Sequence, residues 1–333
     1  MSKRRITIKD VSALAGVSVS TVSRVLNASG PISEETRKAV MDAAAELKYQ
    51  PNLLARGLVK NQLGGVGVLI PWLGGPFFCS FLEGVQDVIR DTPFRLVISS
   101  EQAQKAREHD ALTYLLENDA DGVIYYGDSL RPEDIAEINP QDKPVVLLGQ
   151  PRTEAHPCVT IDDEVGAFLA TRYLLDNGHR QIAHITGEAS QHVTETRLGG
   201  YRRALSQAGV PFDGRLVFHA DYTEQGGYRS VQQLLGRGVD FTAVFCSNDQ
   251  MAIGAYQALR EFNKRIPEDV SVVGFDDISF AQYMHPTLTT VRVPIRNMGS
   301  VAARMVIDLI EGREAEHPTL EAELVIRRSV KRL

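Results

Sequence analysis

The stretch Thr7–Leu26, TIKDVSALAGVSVSTVSRVL, constrains this chain more than any other. Thr7 stands three positions before Asp10 at the head of an apolar-periodic run, the spacing of a helix capping box. Ile8, Val11, Leu14 and Ala15 fall at helical spacing and are expected to share one buried face. Gly16 follows, where a helix C-terminus favours a residue that tolerates positive φ. Val17 is expected to pack inward. Ser18 suits the N-cap of a second helix, whose buried stripe is Val22, Val25 and Leu26. Val19, Ser20, Ser23 and Arg24 then point outward. Short helix, glycine turn and second helix opening on small polar residues make a helix-turn-helix pattern, whose second helix reads base edges in the DNA major groove. Two core helices of an unrelated bundle would share the periodicity, so the pattern has to be weighed with the rest of the chain.

Charge supports the DNA reading. The total is −6, but residues 1–60 carry ten Lys/Arg against five Asp/Glu, and the remainder carries 26 against 37. A basic head on an acidic body fits a phosphate-binding module fused to something else. Lys3, Arg4 and Arg5 form a short basic arm. Residues 27–32, NASGPI, are a turn cluster. Ser33 is expected to cap a third helix, with Glu34 and Glu35 in its first turn and Val40, Ala43, Ala44 and Leu47 facing the first two helices. Pro51 stops that helix, and Asn52 can cap a short one carrying Leu53, Leu54, Ala55, Arg56 and Leu58, too short to be stable alone in water. An ordinary linker would also account for this segment.

The residues AGVSVSTVSRVLN, followed by SEETRKAVMDAAAELKYQPNLLARGL, resemble the DNA-binding end of the lac and galactose repressor family, and the likeness resumes in later motifs. The resemblance implies base readout by Val19, Ser20 and Arg24. It implies phosphate or register contacts by Thr7, Ser18, Thr21, Ser23, Asn27, Ser33 and Asn52. It further implies a hinge helix at 49–62 that forms when two subunits sit on the operator, with Ala55 and Arg56 at the DNA and Leu58 wedged into the minor groove. An apolar wedge of that kind costs unstacking energy, which a bent, better-contacted duplex offsets. Gly57 should weaken such a helix by roughly 1 kcal/mol.

From Leu63 the texture changes. Apolar runs at 66–70, 95–100, 122–126 and 145–149 alternate with helix-like stretches around 78–90 and 103–118. The pattern repeats with runs at 181–186, 215–220, 242–247 and 270–277, and helices around 164–177, 195–208, 225–236 and 249–261. Such alternation predicts an α/β fold with parallel sheets covered by helices. The resemblance implies a two-lobed periplasmic-binding-protein-like domain behind a small all-α headpiece. The expected division is 1–48 for DNA, 49–62 for the hinge and 63–333 for effector binding and dimerisation. Lobe 1 is expected at about 63–162 plus 295–322, and lobe 2 at about 163–292 plus 323–333. The expected crossings fall near 161–164, 291–295 and 321–324, with a helix at 297–311 and a final strand at about 323–328.

In open α/β sheets ligands bind beyond the carboxyl ends of the strands. The loops there converge on one cleft, and sugar recognition needs planar bidentate polar groups and flat apolar walls. By match to family motifs, Arg197, Asn248 and Asp276 are expected to meet hydroxyls, with Phe78 and Tyr222 as walls and Ile295 closing the first-lobe side. Arg197 could instead serve a salt bridge, and Asp249 suits a helix N-cap as well as a ligand contact. Trp72 is a candidate shield at the mouth.

The resemblance therefore implies a transcriptional repressor of a carbohydrate-utilisation operon. It would bind palindromic double-stranded operator DNA as a homodimer and release it when a small sugar closes the cleft; a corepressor or dual regulator with a purine effector is the alternative. The chain stops soon after its last strand, without a leucine-heptad tail, which favours a dimer over a tetramer. Three scattered cysteines suit a reducing compartment. No apolar run approaches membrane-spanning length, and no secretory h-region follows MSKRR. The expected location is the cytoplasm, at the nucleoid. No phosphate-cradling glycine motif, nucleophile elbow or metal-ligand spacing occurs, so neither enzymatic activity, cofactor nor metal is expected. A periplasmic transport protein would lack the head at 1–60.

Overall fold

The computed structural model describes residues 6–26, 30–49, 63–101, 104–127, 129–149, 157–316 and 318–333. Asn27, Asn52, Ala55, Arg56 and Leu58, with the rest of the 50–62 segment, lie outside them. The chain divides into two compact units, 1–63 and 64–333.

Among its described residues the first unit holds three helices: α1 (Ile8–Ala15), α2 (Val19–Leu26) and α3 (Glu34–Glu46). The Asp10 carboxylate accepts from the Thr7 backbone N–H at 2.8 Å and from its hydroxyl at 2.7 Å, so the capping box forms. Gly16 takes φ 67° at the end of α1. The Thr21 N–H donates to Ser18 Oγ at 3.1 Å, and the Thr36 N–H to Ser33 Oγ at 3.3 Å, so both predicted serine caps are present. Val11, Val22, Val25, Val40, Ala43 and Ala44 form the core, with Ile8, Ala15, Val17, Leu26 and Leu47 against it. Leu14 does not join them and is 47% exposed. At 3.6 residues per turn Ile8, Val11 and Ala15 make one stripe, and Leu14 falls roughly 60° beyond its edge.

The second unit carries two six-stranded sheets. Its elements begin β1 (Gly65–Ile70), α4 (Gly75–Ile89), β2 (Arg95–Ser100), α5 (Lys105–Tyr114), β3 (Gly122–Tyr126), α6 (Pro132–Ile138), β4 (Val145–Leu148) and β5 (Cys158–Ile161). They continue with α7 (Asp163–Asp176), β6 (Ile182–Thr186), α8 (His192–Gln207), β7 (Val217–His219), α9 (Glu224–Gly236), β8 (Ala243–Cys246), α10 (Asp249–Glu261) and β9 (Ser271–Asp276). The last are β10 (Thr289–Arg292), α11 (Ile295–Ile310), β11 (Thr319–Leu320) and β12 (Glu323–Val325). The first sheet runs β11-β5-β4-β3-β1-β2 and the second β12-β10-β9-β8-β6-β7. The ladders are parallel except β10 with β12. Each sheet therefore repeats one doubly wound order, with its switch point between β1 and β3 or between β6 and β8.

The sixth strand of each sheet comes from the C-terminal end, so the chain passes between lobes three times: before α7, after β10 and between β11 and β12. Helix α11 returns to pack on α4, and glycine permits the close approach. A Cβ on Gly84 would lie 1.9 Å from the Arg296 carbonyl oxygen, and one on Gly299 would lie 2.1 Å from that of Phe81. The run 215–220 is a single turn at Gly214–Leu216 followed by a three-residue strand, because Asp213 caps the Arg215 N–H and curls the chain first.

Candidate functional site

On α2 the side chains divide as an exposed reading face requires. Val22 and Val25 are buried; Val19, Ser20 and Arg24 are exposed, and Thr21 and Ser23 half-buried. The Ser18 hydroxyl lies 2.7 Å from that of Ser20 and 2.8 Å from that of Thr21, which fixes the first turn. Ser33 donates its hydroxyl to Thr36 at 2.8 Å, and Thr7 has committed its own to Asp10. Both hydroxyls are thus engaged within their caps, and the first-turn backbone N–H groups of α1 and α3 that the caps do not take are the natural donors to an anion.

The second site is a pocket of about 500 Å³ between the two lobes of the second unit. The C-terminal ends of the central strands feed it from both sides, as the topology requires. The first lobe contributes an aromatic wall. Phe77, Phe78 and Tyr126 meet edge to face with ring centroids 5.2, 5.9 and 5.4 Å apart, and Trp72 lies beside them. The second lobe contributes Arg197, Tyr222, Asn248 and Asp276.

Arg197 is buried at the back of this half. Its Nε donates to Asp163 Oδ1 at 2.8 Å, a terminal nitrogen donates to the Ser247 carbonyl, and the guanidinium lies 3.7 Å over the Phe275 ring. Burial opposes its charge, but Asp163 and Asp276 outweigh burial and hold it protonated. Both sequence readings of Arg197 therefore meet in one residue, which lines the pocket and forms a buried salt bridge.

Asp276 stands at the end of β9 with φ 109°, a backbone strain that aims its carboxylate at the pocket. Its Oδ1 is buried without a hydrogen bond, 3.9 Å from the Arg197 guanidinium. Burial pushes its pKa up to about 7; Arg197 pulls it down and Asp163 pushes it further up. An orphaned, buried carboxylate oxygen is costly unless a ligand donor completes it.

The structure changes two assignments. Asn248, not Asp249, is the N-cap of α10: its Oδ1 accepts from the Met251 N–H at 2.8 Å, while its amide donates to the Tyr222 carbonyl at 3.0 Å. Asp249 is fully buried behind it, accepting from Thr290 Oγ1 at 2.6 Å and the Ile278 N–H at 2.9 Å. Burial, then Asp276, raises its pKa well above the ordinary value. Asn248 keeps one amide hydrogen for a ligand. Ile295 is 6% exposed in the hydrophobic core and does not line the pocket. It opens α11 just after the chain recrosses, and its side chain packs into the core there.

Sequence reasoning passed over Phe77, Tyr126, Gln104, Glu108, Gln191 and Gln250, all of which line the pocket. Tyr126 ends β3, so the strand-end rule itself pointed to it. Glu108 gives no such signal: it lies in α5, 2% exposed, accepting from the Tyr125 hydroxyl and from Ser129 Oγ at 2.9 Å. Among the described residues no cluster of His, Cys, Asp or Glu could hold a metal ion, and no helix is long and apolar enough to cross a membrane.

Residues 7–52 match the lacI family of bacterial regulatory proteins, and 171–330 match the periplasmic binding protein-like domain. The chain is 38% identical over 327 residues to the transcriptional regulator RegA of Clostridium saccharobutylicum, covering 97% of this chain and 98% of that protein. It is 37% identical to GalR of Escherichia coli strain K12, over 97% and 95% of the two chains. Its structure matches the lac repressor dimer bound to operator and the anti-inducer ONPF with TM-score 0.88 at 28% identity, covering 98% and 100%. The complex of the regulator CelR with cellobiose matches with TM-score 0.73 at 35% identity, again over 98% and 100%. The chain belongs to the lacI family: it is a DNA-binding transcriptional regulator with a two-lobed, periplasmic-binding-protein-like domain.

Proposed function

We propose that this regulator represses a carbohydrate operon and leaves its operator when a sugar fills the interlobe pocket. The observation that carries the sugar reading is the pocket's division: an aromatic wall on one lobe, planar polar groups and the unsatisfied Asp276 Oδ1 on the other. A sugar offers an apolar C–H face to the first and hydroxyl donors to the second. The relative CelR, solved with cellobiose, and a lacI-family regulator of Enterococcus faecium, solved with ribose, support it.

In this reading residues 1–48 read DNA, 49–62 form the link and 63–333 bind the effector and pair two copies. Val19, Ser20 and Arg24 read bases; a bidentate arginine–guanine contact is worth roughly 1–3 kcal/mol of discrimination. Thr7, Ser18, Thr21, Ser23 and Ser33, with Asn27, Asn52, Ala55, Arg56 and Leu58, supply phosphate, register and hinge contacts. Arg197, Asn248, Asp276, Phe78 and Tyr222 hold the sugar. The protein acts in the cytoplasm as a homodimer on a palindromic operator, and no catalysis is involved.

A ligand moves such an equilibrium only through its differential affinity for the two states. Shifting 1:99 to 99:1 takes about 5.5 kcal/mol. The test is Asp276→Ala, expected to bind operator as the parent does and to ignore the sugar. A variant still released by sugar would remove Asp276 from the effector site, and sugar that tightens operator binding would reverse the sign of regulation.

A further inference from the structure

We propose that the pocket admits only effectors without an anionic group, and that Glu108 on the first lobe pairs with Asp276 on the second as its two anionic acceptors. This rests on the sugar-responsive reading and narrows it to unphosphorylated sugars.

Both acceptors are buried in the wall of one cavity, on opposite lobes. Glu108 has a hydroxyl donor on each oxygen, Tyr125 on one and Ser129 on the other, and each oxygen retains a lone pair. Asp276 Oδ1 and Gln191 Oε1 are buried and unbonded. The donors that line the cavity are neutral amides, hydroxyls and an indole, apart from Arg197. Glu188 adds a third carboxylate to the lining.

No uncommitted cation answers them among the described lining residues. Arg197 is the single guanidinium there, and it is engaged by Asp163 and by the Ser247 carbonyl. The fourth lining acid, Asp221, has its own partner in Arg229 at 2.8 Å.

Helix N-termini also face the pocket, and they favour anions. Part of that field is already spent. Thr223 caps α9 at the Gly226 N–H and Asn248 caps α10, while Pro76 removes a donor from the first turn of α4. The starts of α4, α5 and α8 carry no side-chain cap. Each helix end is equivalent to about +0.5 charge, so the three together give about +1.5 and still do not balance Glu108, Glu188 and Asp276. Glu108 and Asp276 line the pocket from opposite lobes. A hydroxyl-rich neutral ligand bridges them, whereas a phosphate adds to the repulsion. A unit negative charge about 8 Å from one carboxylate, at an effective dielectric of about 20, is disfavoured roughly thirtyfold.

Trp72 is the chain's single tryptophan and lines the pocket, so its fluorescence reads occupancy in the intact protein. The probes are matched pairs: ribose with ribose 5-phosphate, galactose with galactose 1-phosphate, glucose with glucose 6-phosphate, and cellobiose with cellobiose 6′-phosphate. The expected result is saturable binding of at least one free sugar, with its phosphate at least about thirtyfold weaker, and a smaller gap in Glu108→Gln. A phosphorylated sugar that binds as tightly as its parent, or more tightly, overturns the charge argument and leaves the sugar-responsive reading standing. An undiminished gap in a folded Glu108→Gln overturns the role of Glu108. Silence from every pair, with operator binding intact, overturns both the inference and the sugar reading.

Discussion

Replacing Asp276 by asparagine should stabilise the effector-free protein in alkali and hardly at all in acid. Burial raises this carboxyl from 3.8 to about 7, against the pull of Arg197. A carboxyl whose folded pKa lies above its unfolded value favours the folded state while protonated. That contribution is complete below about pH 3.8 and is lost as pH rises to about 7. The difference corresponds to an upper limit of roughly 4 kcal/mol at 1.36 kcal/mol per pH unit. Asparagine keeps the shape and carries no charge, so it does not suffer that loss. Asp249, raised in part by Asp276, relaxes in the variant and shifts stability in the same direction. At about 2–4 °C per kcal/mol for a domain near this size, the variant should melt several degrees above the parent at pH 8, and the gap should shrink toward pH 5. Differential scanning fluorimetry of both proteins without sugar reads this directly; groups outside the cluster cancel in the difference. A gap that stays flat with pH, or a variant less stable at pH 8, would refute the placing of Asp276 as a buried, unsatisfied acceptor. The same variant should lose effector affinity, since a hydrogen bond to a charged acceptor contributes about 1.5–3 kcal/mol.

Three further outcomes are expected. Arg24→Ala should lose operator preference while keeping salt-sensitive nonspecific binding, seen in competition with random duplex; unchanged preference would take base readout away from this exposed side chain. Gly84→Ala puts a methyl 1.9 Å from the Arg296 carbonyl oxygen and should destabilise the second unit by about 1–3 kcal/mol in urea titrations. Asn248→Ala should cost about 1–2 kcal/mol of stability through the lost cap in addition to weakening effector binding, so an effect on binding alone would contradict the cap at Met251.

The sequence made the strand-helix alternation legible because β1, β3, β4, β6, β8 and β9 are buried along nearly their whole length and read as short, mostly apolar runs, while the edge strand β2 still shows its Leu-Val-Ile centre. The strands β5, β10 and β11 escaped that test, being short and threonine-bearing, CVTI, TTVR and TL. Helix α6, of seven residues, is too brief for its periodicity to register. Local chemistry placed the caps at Thr7, Ser18 and Ser33 from spacing alone. It could not separate Asn248 from Asp249, because both suit an N-cap and only the buried donors of Thr290 and Ile278, from other strands and loops, draw Asp249 inward. Ile295 shows the limit of motif matching: the position follows a strand, but the turn between β10 and α11 sends its side chain into the core. Glu108 was invisible because nothing in LysAlaArgGlu predicts that Tyr125 and Ser129 will hold a carboxylate under the pocket. Leu14 was misplaced by a tolerance in the pattern itself, since i+3 and i+4 positions do not all fall within one narrow stripe.

The central claim is that filling the interlobe pocket frees the DNA. The most direct measurement follows Trp72 emission and the anisotropy of a labelled operator fragment in one titration of the dimer with the sugar that binds it. Both signals should move together with the same midpoint, the anisotropy falling as the pocket fills. Trp72 reporting a saturated pocket while the fragment stays bound would contradict the account.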